Sequence, residues 1–306
     1  MISVLIPNYN YPCGPLLREL HVQLRICAVP FEIIVMEDGS TFCLEENQEI
    51  AEELNCQYVR LPQNIGRSSI RNRLASMAKY DWLLFMDCDS RIPSVEFMER
   101  YIKAIRNEKY SIICGGRFFG SKNLVPPQYL LHWTYGNKRE PKPYGNNVGR
   151  AFLSNNFVIQ KEVFLSVQFE ESLKGYGHED TLFGVYLGRK GFKILYIYNP
   201  VFHKGLDDND AFLQKSRTAV ANLRILREQF LHPEENKHIR LLNYYQRLHW
   251  FGLDRLLANK FDQHRYKIEE QLKSKEPNLY LFDLYKLGYL CKIMNADQPL
   301  QHKTDH

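Results

Sequence analysis

Along its first two hundred residues the chain alternates short apolar runs with stretches where apolar residues recur every three or four positions. Ser3–Ile6, Glu32–Met36, Tyr58–Leu61 and Trp82–Met86 are apolar or β-branched runs bounded by Pro, Gly, Asn or Asp, the pattern of buried strands. Leu16, Leu17, Leu20 and Leu24 form one helical stripe, and Ile70, Leu74 and Met77 a second. Ser111–Cys114 and Phe192–Tyr198 predict two later strands. Such alternation predicts an α/β fold, a mostly parallel central sheet with helices on both faces. Ligands bind such sheets beyond the carboxyl ends of the strands, so polar residues just after a strand are the candidates for chemistry.

Residues 120–150 break this rhythm. Pro126, Pro127, Pro141 and Pro143, with Gly136, Gly145 and Gly149, predict a long loop holding at most one short helix around Gln128–Trp133. From about Asp207 onward no strand pattern remains, and Leu223, Leu226, Phe230, Leu241, Leu248 and Leu256 predict several helices. The expected division is therefore an α/β domain over residues 1–205 and a helical C-terminal region over residues 206–306.

Composition narrows the function classes. The chain has 306 residues with 40 Lys and Arg against 35 Asp and Glu, a net +5 too small to imply a nucleic-acid partner. No apolar run approaches the roughly 18–20 residues of a membrane-spanning helix. Met1 leads almost directly into Ile2–Ile6, so no leader peptide is expected. Cysteines 13, 27, 43, 56, 88, 114 and 291 form no CxxC pair, which disfavours a zinc site or a disulfide framework and predicts a reducing, cytoplasmic setting.

The sharpest local feature is WLLFMDCDS, where a buried strand ends in Asp87 and Asp89. At strand spacing these carboxylates share a face and can converge on one cation, and oxygen ligands suit Mg²⁺ or Mn²⁺. Acids fill 35 of 306 positions, so acid-x-acid alone should occur about four times by chance. Context adds weight. SVLIPNYN and IIVMEDGS are strands with polar ends, the second carrying Asp38. NIGRSSIRNRLA is a Gly turn entering a helix with Arg71 and Arg73, and GYGHED delivers Glu179 and Asp180 to a helix start. VFHKG places His203 after the last strand of the sheet.

This order of motifs resembles the family 2 glycosyltransferases of the GT-A fold, a Rossmann-like architecture, over about residues 1–205. The Gly-aromatic-Gly-x-Glu-Asp segment is similar to that of β-1,4-galactosyltransferases and chondroitin-type polymerases, with Tyr176 where those relatives carry Trp. The resemblance implies an inverting, metal-dependent transferase moving a sugar from a UDP-sugar to a glycan or lipid-linked saccharide hydroxyl, as in surface-polysaccharide assembly. It implies that Asp38 accepts the uracil N3–H, that Pro7 and Tyr9 line the base pocket, and that Asn64 and Arg71 lie near the nucleotide or diphosphate. Asp87 is expected at the ribose or the metal's water shell, with Asp89 and His203 as ligands of Mn²⁺ or Mg²⁺. Asp180 is expected as general base and Glu179 as a hydrogen-bond partner of the acceptor. Asn155, Asn156 and Tyr176 are expected against the donor sugar or acceptor, and the loop aromatics Trp133, Tyr135 and Tyr144 stack on sugars or fill a core.

The structural alternatives are a turn role for Asp38, a surface role for Arg71 and Arg73, and a simple helix N-terminus for Glu179 and Asp180. A dehalogenase-type phosphatase is disfavoured because Asp87 follows three strands, and a sugar-nucleotide pyrophosphorylase because residues 5–15 hold a single Gly. The alternative to an enzyme is a catalytically silent scaffold that binds sugar nucleotides. The C-terminal helices are candidates for acceptor binding, a homodimer or peripheral membrane contact, since segment 237–261 mixes Arg and Lys with Leu, Tyr, Trp and Phe.

Overall fold

The computed structural model describes residues 1–107, 109–140, 152–173 and 175–296. Pro141, Pro143, Tyr144, Gly145 and Gly149 of the expected loop lie outside the described residues. The chain forms two compact units. The first comprises Met1–Gly120, Arg139–Lys174 and Glu179–Gly205, and the second Ser121–Lys138, Gly175–His178 and Leu206–His306.

In chain order the first unit opens with β1 (Ile2–Asn8), α1 (Gly14–Ile26), β2 (Phe31–Glu37), α2 (Leu44–Glu53), β3 (Gln57–Arg60) and α3 (Arg67–Met77). It continues through β4 (Trp82–Met86), β5 (Ser90–Arg91), α4 (Phe97–Ile105), β6 (Ile112–Cys114) and β7 (Arg117–Phe118). After α5 (Leu130–Arg139) the chain adds β8 (Asn156–Gln160), α6 (Lys161–Val167), α7 (Glu179–Arg189), β9 (Ile194–Tyr196) and β10 (Val201–His203). The second unit is completed by α8 (Asn209–Ile225), α9 (Arg240–Trp250), α10 (Asp254–Leu272) and α11 (Leu279–Asn295).

The central sheet has seven strands in the order β3-β2-β1-β4-β8-β6-β9. Neighbours are parallel except around β8, which runs antiparallel to both β4 and β6. Val4, Ile6, Val35 and Leu84 meet the α1 and α4 stripes on one face, and Leu5, Ile34, Leu83 and Phe85 meet α3 and α6 on the other. Alternation along each strand sends successive side chains to opposite faces, so burial on both faces reads as the near-continuous apolar runs seen in the sequence. Phe85 stacks between Phe157 and Phe164, each ring pair 4.9 Å apart.

A second sheet, β5-β10-β7, is small and separate. Here the expectation for His203 is corrected: it is the last residue of β10 in this small sheet, paired with Ser90 across β5, rather than following a strand of the central sheet. The expected long loop is also shortened. A 3₁₀ turn at Pro127–Tyr129 leads into α5, a ten-residue helix, because Leu130, Leu131 and Thr134 share a buried face and Leu131 joins the core of the second unit. That core includes Phe212, Phe261, Phe282 and Tyr285, with Tyr135 lying against Phe212 and Phe282. Tyr135 is thus a packing residue. No helix among the described residues is long and apolar enough to cross a membrane.

Asn156 anchors the framework where β8 begins. Its amide donates to the carbonyls of Gly116 (3.0 Å) and Asn199 (2.9 Å), and its Oδ1 accepts from the Tyr101 hydroxyl (2.7 Å). That bonding commits the side chain to the fold. Asn156→Ala should therefore cost about 1–3 kcal/mol, since it strands buried polar partners. Urea denaturation checks this, and unchanged stability with weakened sugar binding would favour the ligand role instead.

Candidate active site

The site grows from a divergence in the sheet. β1 pairs with β2 along its whole length, to Asn8 opposite Glu37, but with β4 only as far as Leu5 opposite Phe85. The carboxyl ends of β1 and β4 are therefore free of one another at the point where strand order reverses, the usual ligand crevice of an open α/β sheet. Pro7 lies past the last β1–β4 pair, where its missing N–H costs no bond to β4. Tyr9 follows it and is exposed.

Buried Glu37 organises the loops around this crevice. Its Oε1 accepts from Asn8 (2.9 Å), Asn47 (3.1 Å) and the Tyr58 hydroxyl (2.8 Å), and its Oε2 from Ser40 (2.6 Å). The sequence reading passed over this residue, although an acid inside an otherwise apolar strand was a signal of a buried polar hub. Asp38, next along, accepts the backbone N–H groups of Ile65 (2.7 Å) and Gly66 (3.1 Å) and so holds the turn that starts α3. Burial raises its pKa, with those two bonds opposing the rise. Gly39 has φ +70° and a side chain there would collide with the backbone of Gln63 and Asn64, so this turn requires glycine. Asn64 itself is exposed.

At the end of β4, buried Arg71 donates from Nη2 to Asp87 Oδ1 at 2.8 Å and from Nη1 to the Arg67 carbonyl at 3.2 Å. Its guanidinium also lies over the Phe169 ring. Arg71 is thus a buried partner of Asp87, while Arg73 is exposed on the far face of α3. The Asp87 N–H donates to the Asn155 carbonyl (3.1 Å), and Ser90 N–H donates back to the Asp87 carbonyl (3.1 Å), which turns the chain. The turn brings Asp89 to His203, Oδ1 to Nδ1 at 3.4 Å, and Lys204 N–H donates to the Asp89 carbonyl. Burial pushes the Asp89 pKa up, but His203, with Arg117 and Arg67 nearby, more than offsets it and holds the carboxyl below its ordinary value.

Gly205 was not singled out by the sequence reading. A Cβ at that position would strike the Asp89 carboxylate, so the glycine of His-Lys-Gly makes room for it. Asn155 is 5% exposed, and neither its Oδ1 nor its Nδ2 has a hydrogen-bond partner. Buried amides ordinarily find partners, so the unmet amide of Asn155 sets it apart from the bonded framework.

At the start of α7, Glu179 is buried with Arg67 3.8 Å away, and Asp180 Oδ1 accepts the Thr181 N–H at 2.7 Å. Burial, reinforced by the adjacent Glu179 carboxylate, raises the Asp180 pKa to about 7, against the pull of Arg117 and Arg71. Arg117 is itself held by Glu140 through two bonds of 2.7 and 2.5 Å. Tyr176 belongs to the second unit, with the Lys215 ammonium 5.4 Å from its ring centroid. In that unit Asn222 fixes the loop through the carbonyls of Tyr176 and Gly177.

Among the described residues no group of three or more His, Cys, Asp or Glu side chains could hold a metal ion unaided. Asp89 and His203 nonetheless fit a divalent cation. Asp89 Oδ1 is buried without a hydrogen-bond partner, and Mg²⁺-type sites commonly take one or two protein ligands and complete their shell with water and substrate phosphates.

Comparison with known proteins places the fold and the family. The protein-family model described as Glycosyl transferase family 2 matches residues 3–167. Hyaluronan synthase of Pasteurella multocida is 23% identical over 223 residues, covering 62% of this chain and 23% of that protein. Chondroitin synthase of Pasteurella multocida is 25% identical over 234 residues, with the same coverage, so the chain spans about a quarter of these relatives. The crystal structure of Staphylococcus aureus TarS with UDP aligns at a TM-score of 0.50 and 19% identity, over 85% of this chain and 72% of that one. Glucosyl-3-phosphoglycerate synthase of Mycobacterium tuberculosis, with Mn²⁺, UDP and phosphoglyceric acid, aligns at 0.51 and 18%, over 73% and 77%. The Pyrobaculum calidifontis mannosyltransferase PcManGT, with GDP-Man and Mn²⁺, aligns at 0.53 and 11%, over 96% and 86%. The fold is that of the GT-A enzymes, and with a match over more than half its length the chain belongs to glycosyl transferase family 2.

Proposed function

We propose that the chain transfers a sugar from a UDP-sugar to a saccharide hydroxyl, with inversion at the anomeric carbon and a divalent cation at the diphosphate. The observation that carries this reading is the buried Asp89 carboxylate, its Oδ1 facing His203 Nδ1 across 3.4 Å beyond the end of β4. Mn²⁺ or Mg²⁺ held by Asp89 and His203 would offset the negative charge that grows on the departing diphosphate. Neighbours of the same fold captured with UDP and with Mn²⁺ support both parts of the donor assignment. PcManGT was captured with GDP-Man, so the choice of base rests on this chain's own residues.

Asp38 keeps lone pairs beyond those accepting from Ile65 and Gly66, and one would accept the uracil N3–H. Pro7, Tyr9 and Asn64 would border the base. Arg71 binds one Asp87 oxygen, which leaves the other for the ribose. The free amide of Asn155 would meet hydroxyls of the donor sugar, satisfying a buried group that has no partner in the protein. Asp180 would take the proton of the acceptor hydroxyl as that oxygen attacks, while Glu179 accepts a second hydrogen bond from the acceptor. A base poised near neutrality suits this task, because it must be ionised yet basic enough to receive a proton. The relatives that make hyaluronan and chondroitin support a glycan or lipid-linked saccharide as acceptor.

A raised carboxyl pKa means that the basic form dominates only above about 7, so kcat should rise with pH up to that value and then level off. Asp180→Asn should lower kcat by about 10²–10⁴-fold and abolish that limb while sparing UDP affinity. Release of UDP from a UDP-sugar panel, followed against pH, measures both, and full turnover in the variant would remove Asp180 from the role of base.

Asp89→Ala should abolish the response of turnover to added Mn²⁺; an unchanged metal titration would contradict the ligand assignment. Gly205→Ala, which displaces the Asp89 carboxylate, should cut kcat at least about tenfold with little change in Tm, comparable to loss of one charged contact at the diphosphate. Wild-type kinetics in that variant would show that the Asp89 position is not critical.

A further inference from the structure

We infer that the α9–α10 corner of the helical unit is a wedge that docks the protein on an anionic lipid surface. From Arg240 to Phe261 the chain has a single acid, Asp254, and this is 3% exposed. The charged groups that this segment shows to solvent are therefore the cations Arg240, Arg247, Arg255 and Lys260. On α9 the exposed residues Arg240, Tyr244 and Arg247, continued by Phe251, recur at helical spacing on one face, while Leu242 and Tyr245 are buried on the other. From the cap residue Leu253 into α10, Leu253, Leu256 and Lys260 form the matching exposed stripe, and Asp254, Ala258 and Phe261 face inward.

At the corner the largest apolar groups stand furthest out. Trp250 is 84% and Phe251 72% exposed, with their rings stacked 5.8 Å apart, and Leu253 and Leu256 are exposed beside them. The corner is rigidly made. Gly252 has φ +67°, its N–H donates to the His249 carbonyl (3.0 Å), and Leu253 N–H donates to the Leu248 carbonyl (2.9 Å). This paired bonding across a left-handed glycine is a Schellman ending for α9. His249 Nδ1 lies 3.1 Å from buried Asp254 Oδ2, which ties the end of α9 to the start of α10. The aromatic pair is thus presented by fixed backbone and does not hang on a floppy loop.

Four large apolar side chains exposed within seven residues point to a contact surface. The charges beside it choose among occupants. A second copy using the same patch would set cations against cations, since a two-fold interface is self-complementary. An anionic bilayer instead accepts aromatic and Leu side chains at its boundary and attracts Arg and Lys flanking them. The inference does not depend on the donor-site reading, because none of these residues belongs to that site.

Co-sedimentation of the full chain with lipid vesicles tests it. The protein should bind vesicles containing phosphatidylglycerol and bind phosphatidylcholine vesicles at least about tenfold more weakly, with raised salt releasing it. The double variant Trp250→Ser, Phe251→Ser should lose at least about tenfold in vesicle affinity. Arg247→Glu should lose about fivefold or more, while UDP-sugar hydrolysis without vesicles stays at the wild-type rate for both variants. Equal sedimentation of wild type and the double variant would overturn the inference, as would equal binding to neutral and anionic vesicles. A concentration-dependent dimer that the double variant abolishes, with no vesicle binding, would assign the corner to a second copy instead.

Discussion

The buried guanidinium of Arg71 sets a condition that much of the candidate site answers. A cation so far from water is tolerable only beside a compensating charge and good acceptors. It finds Asp87 at 2.8 Å, the Arg67 carbonyl at 3.2 Å and the face of Phe169. Asp87 is thereby pinned at the last step of β4, and its backbone is bonded to Asn155 on one side and Ser90 on the other. With the turn fixed, Asp89 has one place to go, against His203 and the bare backbone of Gly205. Both carboxylates of the Asp-Cys-Asp segment are in this sense positioned by one ion pair on α3.

Sheet topology supplies the rest of the geometry. β1 and β4 separate beyond Leu5 and Phe85, which opens the crevice that receives the loops after β1, β2 and β4. β8, inserted antiparallel between β4 and β6, brings its leading residues beside the end of β4. Neighbouring side chains at a strand start point to opposite sides, so Asn156 enters the Tyr101–Asn199 network while Asn155 keeps its amide free. One Asn serves the framework and its neighbour does not.

The apolar pattern was enough to read β4, Trp82–Met86, to the residue and to place β1, β2 and β3 within a residue or two, because strands buried on both faces are written as unbroken apolar runs. It placed a short helix around Gln128–Trp133 but ended it early, because Gly136 and the prolines that follow suggested loop, whereas α5 runs to Arg139. It could not distinguish Asn155 from Asn156, a matter of strand register, nor see that β10 belongs to a second sheet, a matter of long-range pairing. Arg71 was legible as a helix residue near the site, but its ion pair with Asp87 spans 16 positions and exists only once α3 lies against the sheet. Gly205 illustrates the same gap: the sequence records a glycine, and only the fold shows the carboxylate it admits.

On the proposed function, donor and cation share one site at the ends of β1, β2 and β4. Its most direct measure is the linkage between their binding. Titration calorimetry with UDP, run with Mn²⁺ and again with the metal chelated, should show UDP binding at least about tenfold tighter when the ion is present, and Mn²⁺ tightened by UDP to the same degree. Equal UDP affinity in the two conditions would contradict the proposed site, because a diphosphate at Asp89 and His203 would feel a cation held there.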